Sequence, residues 1–191
     1  TRTIHPKDKS TRTIFGDAAA AILVEPSDTA RIGDFILGTD GSGMDKLIIP
    51  AGAWAAPRSP ETAAERTNKW GNTRSAENLY MNGPEVLNFT LATVPGAVSR
   101  ALEAHSLKLE DVDLFVFHQA TLLILEHLRK EIGIPEEKFF MNMENKGNTV
   151  SATIPMALRD AADQGRLRPG DRVMAVGFGV GYSWGATIIR W

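Results

Sequence analysis

The chain has 191 residues, 43% of them hydrophobic, a formal net charge of -2 and no cysteine. This length suits one domain with its own core, or a part of a larger fold. The near-neutral charge argues against a nucleic-acid-binding protein, which needs clustered cations, and the lack of cysteine excludes disulfides, thiolate metal sites and cysteine nucleophiles from the chain.

The ends of the chain and its apolar runs also limit the possibilities. No apolar run approaches the roughly twenty residues of a membrane span, which predicts a soluble, cytoplasmic protein that does not contact membranes. The sequence does not open on Met, and its first strand-like segment begins almost at once. We therefore expect the chain to begin inside a longer protein and to finish at a natural end.

The first eighty residues contain strand signals and then a long polar stretch. Residues 11 to 24, TRTIFGDAAAAILV, predict a strand in which Gly16 permits close backbone packing. A second strand is predicted at 32 to 38. The stretch from 39 to 80 is rich in Gly, Pro, Ser and Asn, with at most a short helix near 61 to 67. A loop of this length is usually functional or poorly ordered, so we expect a surface excursion near an active-site entrance; the alternative is a solvated loop without a role.

The remainder of the chain alternates between helical and strand patterns. A helix is predicted from Pro84, since proline suits the first turn and apolar residues recur at helical spacing as far as Leu102. After it we predict strand 113 to 117, helix 120 to 132, an extended segment at 138 to 142, helix 152 to 164, and strands 171 to 178 and 183 to 190. This alternation predicts an α/β layered fold around a buried sheet.

The segment GYSWG near the end fits the G-x-S-x-G pattern of serine hydrolases, with Ser183 at its centre. A nucleophile elbow requires a helix after the serine, with an acid and a histidine later in the chain. Here the β-branched residues Thr187, Ile188 and Ile189 predict a strand, and neither an acid nor a histidine follows. A phosphate-binding glycine loop also needs a following helix, so both hypotheses are rejected.

Polar side chains follow apolar or turn segments at two places. His118 comes directly after the apolar strand FVF, and ligands gather beyond the carboxyl ends of strands in open α/β sheets. Asn148 follows Gly147, whose flexibility suits a tight turn, and Thr149 or Ser151 could cap the next helix. The alternatives are a hydrogen-bonded structural histidine and an asparagine that serves a turn or cap. A strand-helix-strand excursion could bring His118 and Asn148 to one sheet edge.

The other histidines give no sign of a metal centre. His105 lies near a helix end, His127 lies within a helix, and His5 belongs to the start of the chain. None of them has a second histidine or a cysteine four residues later. The sequence therefore predicts no metal site.

Taken together, VFHQA, NKGNTVSATIP and GFGVGYSWGATIIRW closely resemble the C-terminal half of β-ketoacyl-acyl carrier protein synthase III, a member of the thiolase superfamily. The segments TIFGDAAAAILV and YMNGPEV are also similar to that family. The resemblance implies a thiolase-like α/β fold, the C-terminal half of an α-β-α-β-α five-layer architecture. It implies that residues 1 to 24 end the N-terminal half and that 25 to 191 form the C-terminal half, with the long loop at about 39 to 80.

The resemblance implies an acyltransferase that performs a decarboxylative Claisen condensation. An acyl group is carried on a cysteine of the N-terminal half, which this chain lacks, and a malonyl thioester on acyl carrier protein or CoA supplies the nucleophile. No cofactor is implied beyond these thioester substrates. The implied partners are the N-terminal half, acyl carrier protein and a second copy in a homodimer of the full enzyme, and no nucleic acid or membrane.

The same resemblance assigns the site residues. His118 and Asn148 match the histidine and asparagine that bind the malonyl thioester carbonyl and stabilise the enolate, as two fixed donors in a dry pocket can do. The backbone N–H of Val180 matches a donor of the oxyanion hole for the acyl-cysteine carbonyl. The substrate pocket is assigned to Phe178, Gly83 and Gly179.

Departures from the family pattern leave the substrate open. Leu123 stands where the family has a basic residue that helps bind the CoA nucleotide, and Pro84 replaces a polar residue near the pantetheine channel. An acyltransferase of secondary metabolism with a non-malonyl nucleophile is therefore one alternative. A non-catalytic thiolase-fold partner subunit is the other, since the cysteine is absent.

Overall fold

The protein is described from a computed structural model that covers all 191 residues. Its elements, in chain order, are α1 (Lys9–Arg12), β1 (Ile36–Thr39), β2 (Leu47–Ile48), α2 (Pro60–Ala63), β3 (Arg66–Thr67), β4 (Thr73–Arg74), β5 (Tyr80–Met81), α3 (Gly83–Ala104), β6 (Leu114–Phe117), α4 (Leu122–Ile132), β7 (Phe139–Phe140), α5 (Thr153–Asp163), β8 (Arg172–Gly179) and β9 (Ser183–Arg190). The predicted strands and helices after residue 80 are confirmed to within two residues at each end.

One five-stranded mixed sheet, in the order β1-β9-β8-β6-β7, forms the centre of the fold. Strand β6 pairs in parallel with β7 and β8, whereas β9 pairs antiparallel with β8 and β1. All four residues of β6, LFVF, are buried, as expected for a strand covered on both faces. The predicted α/β layered fold is confirmed.

Helices cover both faces of this sheet. Phe115 and Phe117 of β6 belong to a core that also contains buried residues of α3 and α4. Leu114 and Val116 point to the other face and pack in a second core with Ala157 and neighbouring residues of α5. Because side chains alternate along a strand, β6 serves both cores, and the result is three layers in the order helix, sheet, helix.

The stretch from 39 to 80 contains only short elements. It holds one-turn helix α2, the two-residue strands β2 to β5 and irregular backbone between them. The capping box at Ser59 and the proline at the first position explain why α2 begins where it does. The prediction of a long irregular excursion with a short helix near 61 to 67 is confirmed, with the helix at residues 60 to 63.

The predicted strand at 11 to 24 is wrong. Residues 9 to 12 form α1, capped by the Asp8 side chain, and Phe15 makes only an isolated bridge to Asn148. Residues 17 to 31 form no strand, and the apolar side chains of Ile22, Leu23 and Val24 are exposed. A strand needs a neighbour for its N–H and C=O groups, and the chain provides none for this segment.

The surface area of the chain is large for its mass. The accessible area is 11323 Å², whereas a compact monomer of 20.8 kDa exposes about 9,000 Å². Exposed large apolar side chains include Leu23, Trp54, which is 98% exposed, and Leu123. The chain therefore has apolar surface open to association. None of the helices is long and apolar enough to cross a membrane.

Candidate active site

A cavity of about 650 Å³ lies where β6 and β8 end, between α3 and the start of α5. No lysine, arginine, aspartate or glutamate lines it, and most of its lining residues are apolar. Every site residue predicted from the sequence lines this cavity: His118, Asn148, Val180, Phe178, Gly179 and Gly83. The structure therefore brings together residues that are far apart in the chain, and their individual roles remain predictions.

His118 is fixed by the strand that precedes it and by two side chains. Its backbone N–H donates to the carbonyl of Val176 in β8 at 2.8 Å, which continues the parallel pairing beyond β6. Its Nδ1 lies 2.7 Å from Oγ1 of Thr153, the first residue of α5. The ring packs edge to face on Phe178, with 5.4 Å between centroids. These contacts hold the imidazole at the cavity wall.

Burial changes the acid-base behaviour of His118. Removal from water disfavours the imidazolium and lowers the pKa of His118 to about 4, although a hydrogen bond to the Val150 backbone acts in the opposite direction. The ring is therefore neutral at neutral pH. A neutral imidazole can offer one hydrogen-bond donor and one acceptor, depending on which nitrogen carries the proton.

Asn148 is held by the N-terminal segment of the chain. Its N–H donates to the carbonyl of Ile14, and its carbonyl accepts from the N–H of Gly16, both at 2.9 Å. The preceding Gly147 has φ 66, in the left-handed region, and a Cβ there would lie 3.0 Å from the Ile14 oxygen. Glycine is favoured at this turn because a side chain would be strained in this conformation and crowded by the Ile14 carbonyl.

The side chain of Asn148 is buried and has one defined partner. Its Oδ1 accepts from the backbone N–H of Val150 at 2.9 Å. Because the oxygen is taken, the amide Nδ2 remains as a donor for a group in the cavity. Val150 itself has φ 57, an unusual conformation for a β-branched residue, and such outliers are concentrated at functional sites.

The predicted caps of the helix after Asn148 are wrong. Neither Thr149 nor Ser151 caps α5; the N-cap residue is Ala152, which makes no side-chain hydrogen bond. A 3-10 turn over residues 150 to 152 precedes the helix, and the Thr149 hydroxyl is directed at the sulfur of Met156, 3.8 Å away. The left-handed Val150 causes this difference, since it redirects the chain before the helix begins.

The turn between β8 and β9 contributes a free backbone donor. Val180 lies in this turn, and its N–H donates to no other group of the chain. Ser183 begins β9, where it pairs with Thr39 and Gly179, and a strand follows it. The rejection of a nucleophile elbow is confirmed. An unpaired N–H at the wall of an uncharged cavity can donate to an oxygen that gains negative charge.

Two polar residues near the site were not assigned from the sequence. Thr153 is 3% exposed and contacts His118 directly. Gln119 is 1% exposed; its Nε2 donates to the carbonyls of Phe117 and Phe140, and its Oε1 accepts from the N–H of Asn142 at 3.1 Å. The amide therefore joins the ends of β6 and β7. The position of Gln119 between two apolar segments could have indicated its role. A glutamine buried in such surroundings needs hydrogen-bond partners for its amide.

The long excursion reaches the cavity, since Leu47 of β2 lines it, as does Met81, the residue directly after the excursion. Leu123 of α4 also lines it and is 72% exposed, so its side chain lies on the open side. The structure contains no group of three or more His, Cys, Asp or Glu side chains that could hold a metal ion. The cavity therefore combines apolar walls with a small number of neutral donors, a composition typical of sites for small organic ligands.

Two family models match the chain. The model described as 3-oxoacyl-(acyl-carrier-protein) synthase III C terminal matches residues 102–191, and that described as 3-oxoacyl-(acyl-carrier-protein) synthase III matches residues 1–41. The second match includes the segment that holds the backbone of Asn148, and the first includes His118, Asn148 and Val180.

Similar proteins carry the corresponding name. A β-ketoacyl-(acyl-carrier-protein) synthase III of Symbiobacterium thermophilum is 39% identical over 97% of this chain and 54% of its own length. One of the synthases of Streptomyces coelicolor is 37% identical over 100% of this chain and 55% of its own length. The chain thus spans about half the length of the curated relatives it matches.

Solved structures show the same fold. A crystal structure of a 3-oxoacyl-(acyl-carrier-protein) synthase III matches with a TM-score of 0.94 and 46% identity, over 100% of this chain and 57% of that chain. The synthase III of Thermus thermophilus matches with a TM-score of 0.82 and 37% identity, over 100% of this chain and 56% of that chain. A priming β-ketosynthase of a polyketide pathway matches with a TM-score of 0.78 and 30% identity, over 98% and 53%.

Proposed function

Because the chain belongs to the 3-oxoacyl-(acyl-carrier-protein) synthase III family, we propose that it is the C-terminal half of an acyltransferase that performs decarboxylative Claisen condensation. The observation that carries the proposal is the position of His118 and Asn148 at one uncharged cavity, with a free Val180 N–H at its wall. The substrates are an acyl thioester and a malonyl thioester on acyl carrier protein or CoA.

The proposed roles follow from where charge develops. When malonyl thioester loses carbon dioxide, the electron pair of the broken C–C bond forms an enolate, and negative charge grows on the thioester oxygen. The Nδ2 of Asn148 is a fixed donor for this oxygen, and His118 presents Nε2 beside it. In a cavity that has no charged side chain, each group that donates to this oxygen contributes about 3 kcal/mol to stabilisation of the transition state.

The second half-reaction needs a group that the chain lacks. The acyl group must be carried as a thioester on a cysteine, and this chain has none. We assign that cysteine to an N-terminal half, of which residues 1 to 24 would be the end. The enolate carbon attacks the acyl-cysteine carbonyl, the thiolate leaves, and the Val180 N–H stabilises the oxyanion formed between these events. A homodimer of the full enzyme and a cytoplasmic location belong to the same proposal.

The cavity differs from the family pattern in the residues that would select the carrier of the acyl group. No cation lines it, and Leu123 occupies the position of the basic residue that binds the CoA nucleotide. This observation favours, as a second candidate, an enzyme that takes its acyl group from a carrier other than CoA or transfers it to a nucleophile other than malonyl. A polyketide priming ketosynthase is among the similar structures.

A mixing experiment tests the proposal. The chain is assayed with acyl-CoA and malonyl-acyl carrier protein, with and without a cysteine-bearing N-terminal half from a similar synthase. We expect condensation only in the mixture, and loss of it in His118→Ala but not in His127→Ala, whose ring is exposed on α4. Condensation by the chain alone would contradict the proposal, because no thiol is present to carry the acyl group. A mixture that forms a stable complex but remains inactive would instead support a non-catalytic subunit.

A further inference from the structure

We infer that the hydroxyl of Thr153 sets the tautomer of His118, so that the resting imidazole carries its proton on Nδ1 and presents an unprotonated Nε2 to the cavity. Thr153 would then be a positioning residue that acts through the histidine. The inference concerns three groups in contact: the His118 ring, the Thr153 hydroxyl and the carbonyl of Val150. Its consequence for catalysis rests on the proposed function, whereas the tautomer itself does not.

The positions of the atoms determine where the hydrogens lie. Oγ1 of Thr153 is 2.8 Å from the carbonyl oxygen of Val150 and 2.7 Å from Nδ1 of His118. A carbonyl oxygen can only accept, and a hydroxyl has one hydrogen, so that hydrogen lies on the bond to Val150. The Thr153 oxygen is then the acceptor for His118, and the hydrogen between these two atoms belongs to Nδ1.

The alternative arrangement leaves an unfavourable contact. If Thr153 donated to Nδ1, its oxygen and the Val150 oxygen would face each other at 2.8 Å without a hydrogen between them. The Val150 oxygen would still accept from the backbone N–H of Thr153, but two oxygens at this distance repel each other when no hydrogen lies between them.

The conformation of Val150 produces this arrangement. Its φ of 57 turns its carbonyl towards Thr153, while its N–H donates to Oδ1 of Asn148. One residue therefore orients both predicted catalytic side chains, through its two peptide groups. The other nitrogen of the ring, Nε2 of His118, has no hydrogen-bond partner in the chain and is not among its fully buried polar atoms. It is accessible from the cavity.

The consequence is that resting His118 is an acceptor in the cavity. An unprotonated Nε2 cannot donate to the thioester oxygen, so the donor form arises only after the tautomer changes. In that change one proton leaves Nδ1 for water, one is taken from water at Nε2, and the Thr153 hydroxyl turns from Val150 to Nδ1. The ring stays neutral throughout. In the second form the hydroxyl donates to Nδ1 and gives up its bond to Val150, so this form is the less stable of the two.

NMR of the full chain with ¹⁵N-labelled histidine tests the inference directly. The His118 signals are assigned by their loss in His118→Gln. We expect the shift of Nδ1 to be that of a protonated nitrogen and the shift of Nε2 to be that of an unprotonated one. The opposite assignment in the unmodified chain would overturn the inference whatever the enzyme assay shows.

Two variants separate the hydroxyl from the shape of the side chain. Thr153→Val keeps the volume but removes the acceptor, and we expect the ratio of the Nδ1–H to the Nε2–H form to fall by about fivefold, the effect of one hydrogen bond. Thr153→Ser keeps the hydroxyl and should restore the ratio. An unchanged ratio in Thr153→Val would overturn the role of Thr153. Failure of the mixing assay with the expected NMR result would count against the proposed function only.

Discussion

The imidazole of His118 meets the ring of Phe178 edge to face, with centroids 5.4 Å apart and planes inclined by 75°. Phe178 is 8% exposed and covers the histidine from the side of β8. The aromatic ring supplies no hydrogen bond that could replace water around an imidazolium. Phe178 therefore helps to explain why burial is the main cause that lowers the pKa of His118 to about 4.

The low pKa of His118 predicts a loss of stability in mild acid. In the unfolded chain the ring binds a proton below its ordinary value of 6.5, whereas in the folded chain it stays neutral until about 4. The unfolded state therefore binds more protons between these values, and the free energy of unfolding falls as the pH falls. From about pH 7 to about pH 5 we expect a loss of about 2 kcal/mol from this group. Urea unfolding at several pH values measures it.

The control for this prediction is His118→Gln, which removes the titrating ring. Its free energy of unfolding should fall by about 2 kcal/mol less than that of the unmodified chain over the same range. The histidines at positions 5, 105 and 127 stay in both proteins, so their contributions cancel. Parallel pH profiles for the two proteins would show that His118 titrates normally and is not buried as described.

The elements that could be predicted are those in which the local pattern of apolar residues by itself indicates burial. The apolar run of β6 and the helical spacing in α3 need no knowledge of their neighbours. The segment from 11 to 24 has an equally apolar pattern, but a strand also requires a partner strand, and the chain provides none for it. Pattern alone could not distinguish these cases.

The sequence predicted which residues line the cavity, but not how these residues contact one another. The motifs indicated His118 and Asn148, and both line the cavity. The left-handed Val150 could not be foreseen, because a β-branched residue disfavours positive φ and its neighbours decide the outcome. The bond between Thr153 and His118 depends on that turn, so it too was missing from the prediction.

Close packing at Gly16 predicts that a methyl group there is not tolerated. A Cβ at this position would overlap the carbonyl oxygen of Lys146, two residues before Asn148. In Gly16→Ala one of the two backbones must move, and we expect a loss of about 1 to 3 kcal/mol in the free energy of unfolding. Because Gly16 also donates to the Asn148 carbonyl, the shift should reach the site and lower activity in the mixing assay.

Gly96→Ala is the matched control for this packing effect. Gly96 lies within α3, and a Cβ there would meet no atom within 4 Å. Alanine favours a helix more than glycine does, so this variant should be slightly more stable than the unmodified chain. A similar loss in both variants, measured by urea unfolding, would contradict the role given to the contact with Lys146.

The donor role proposed for Asn148 predicts the effect of Asn148→Asp. The carboxylate can still accept from the Val150 N–H, so the side chain keeps its orientation, but it has no hydrogen to donate and adds a negative charge beside the enolate. We expect the rate of malonyl decarboxylation in the mixture to fall by about 100-fold or more. Asn145→Asp makes the same change of charge on an exposed side chain and should leave the rate unchanged. Equal rates for all three proteins would remove Asn148 from the mechanism.

The exposed Leu123 predicts how the proposed enzyme could be changed towards CoA substrates. An arginine at this position would place a cation at the open side of the cavity, where the phosphates of a bound CoA nucleotide would lie according to the family resemblance. We expect Leu123→Arg to lower the KM for acyl-CoA by about two- to fivefold, as for an exposed ion pair, with kcat little changed. The gain should disappear at high salt, because exposed charges are screened.

Leu122→Arg, also exposed on α4 but outside the cavity lining, is the control and should leave the KM unchanged. An equal effect of both arginines would indicate general attraction of the anionic substrate, and no effect of either would place the nucleotide elsewhere.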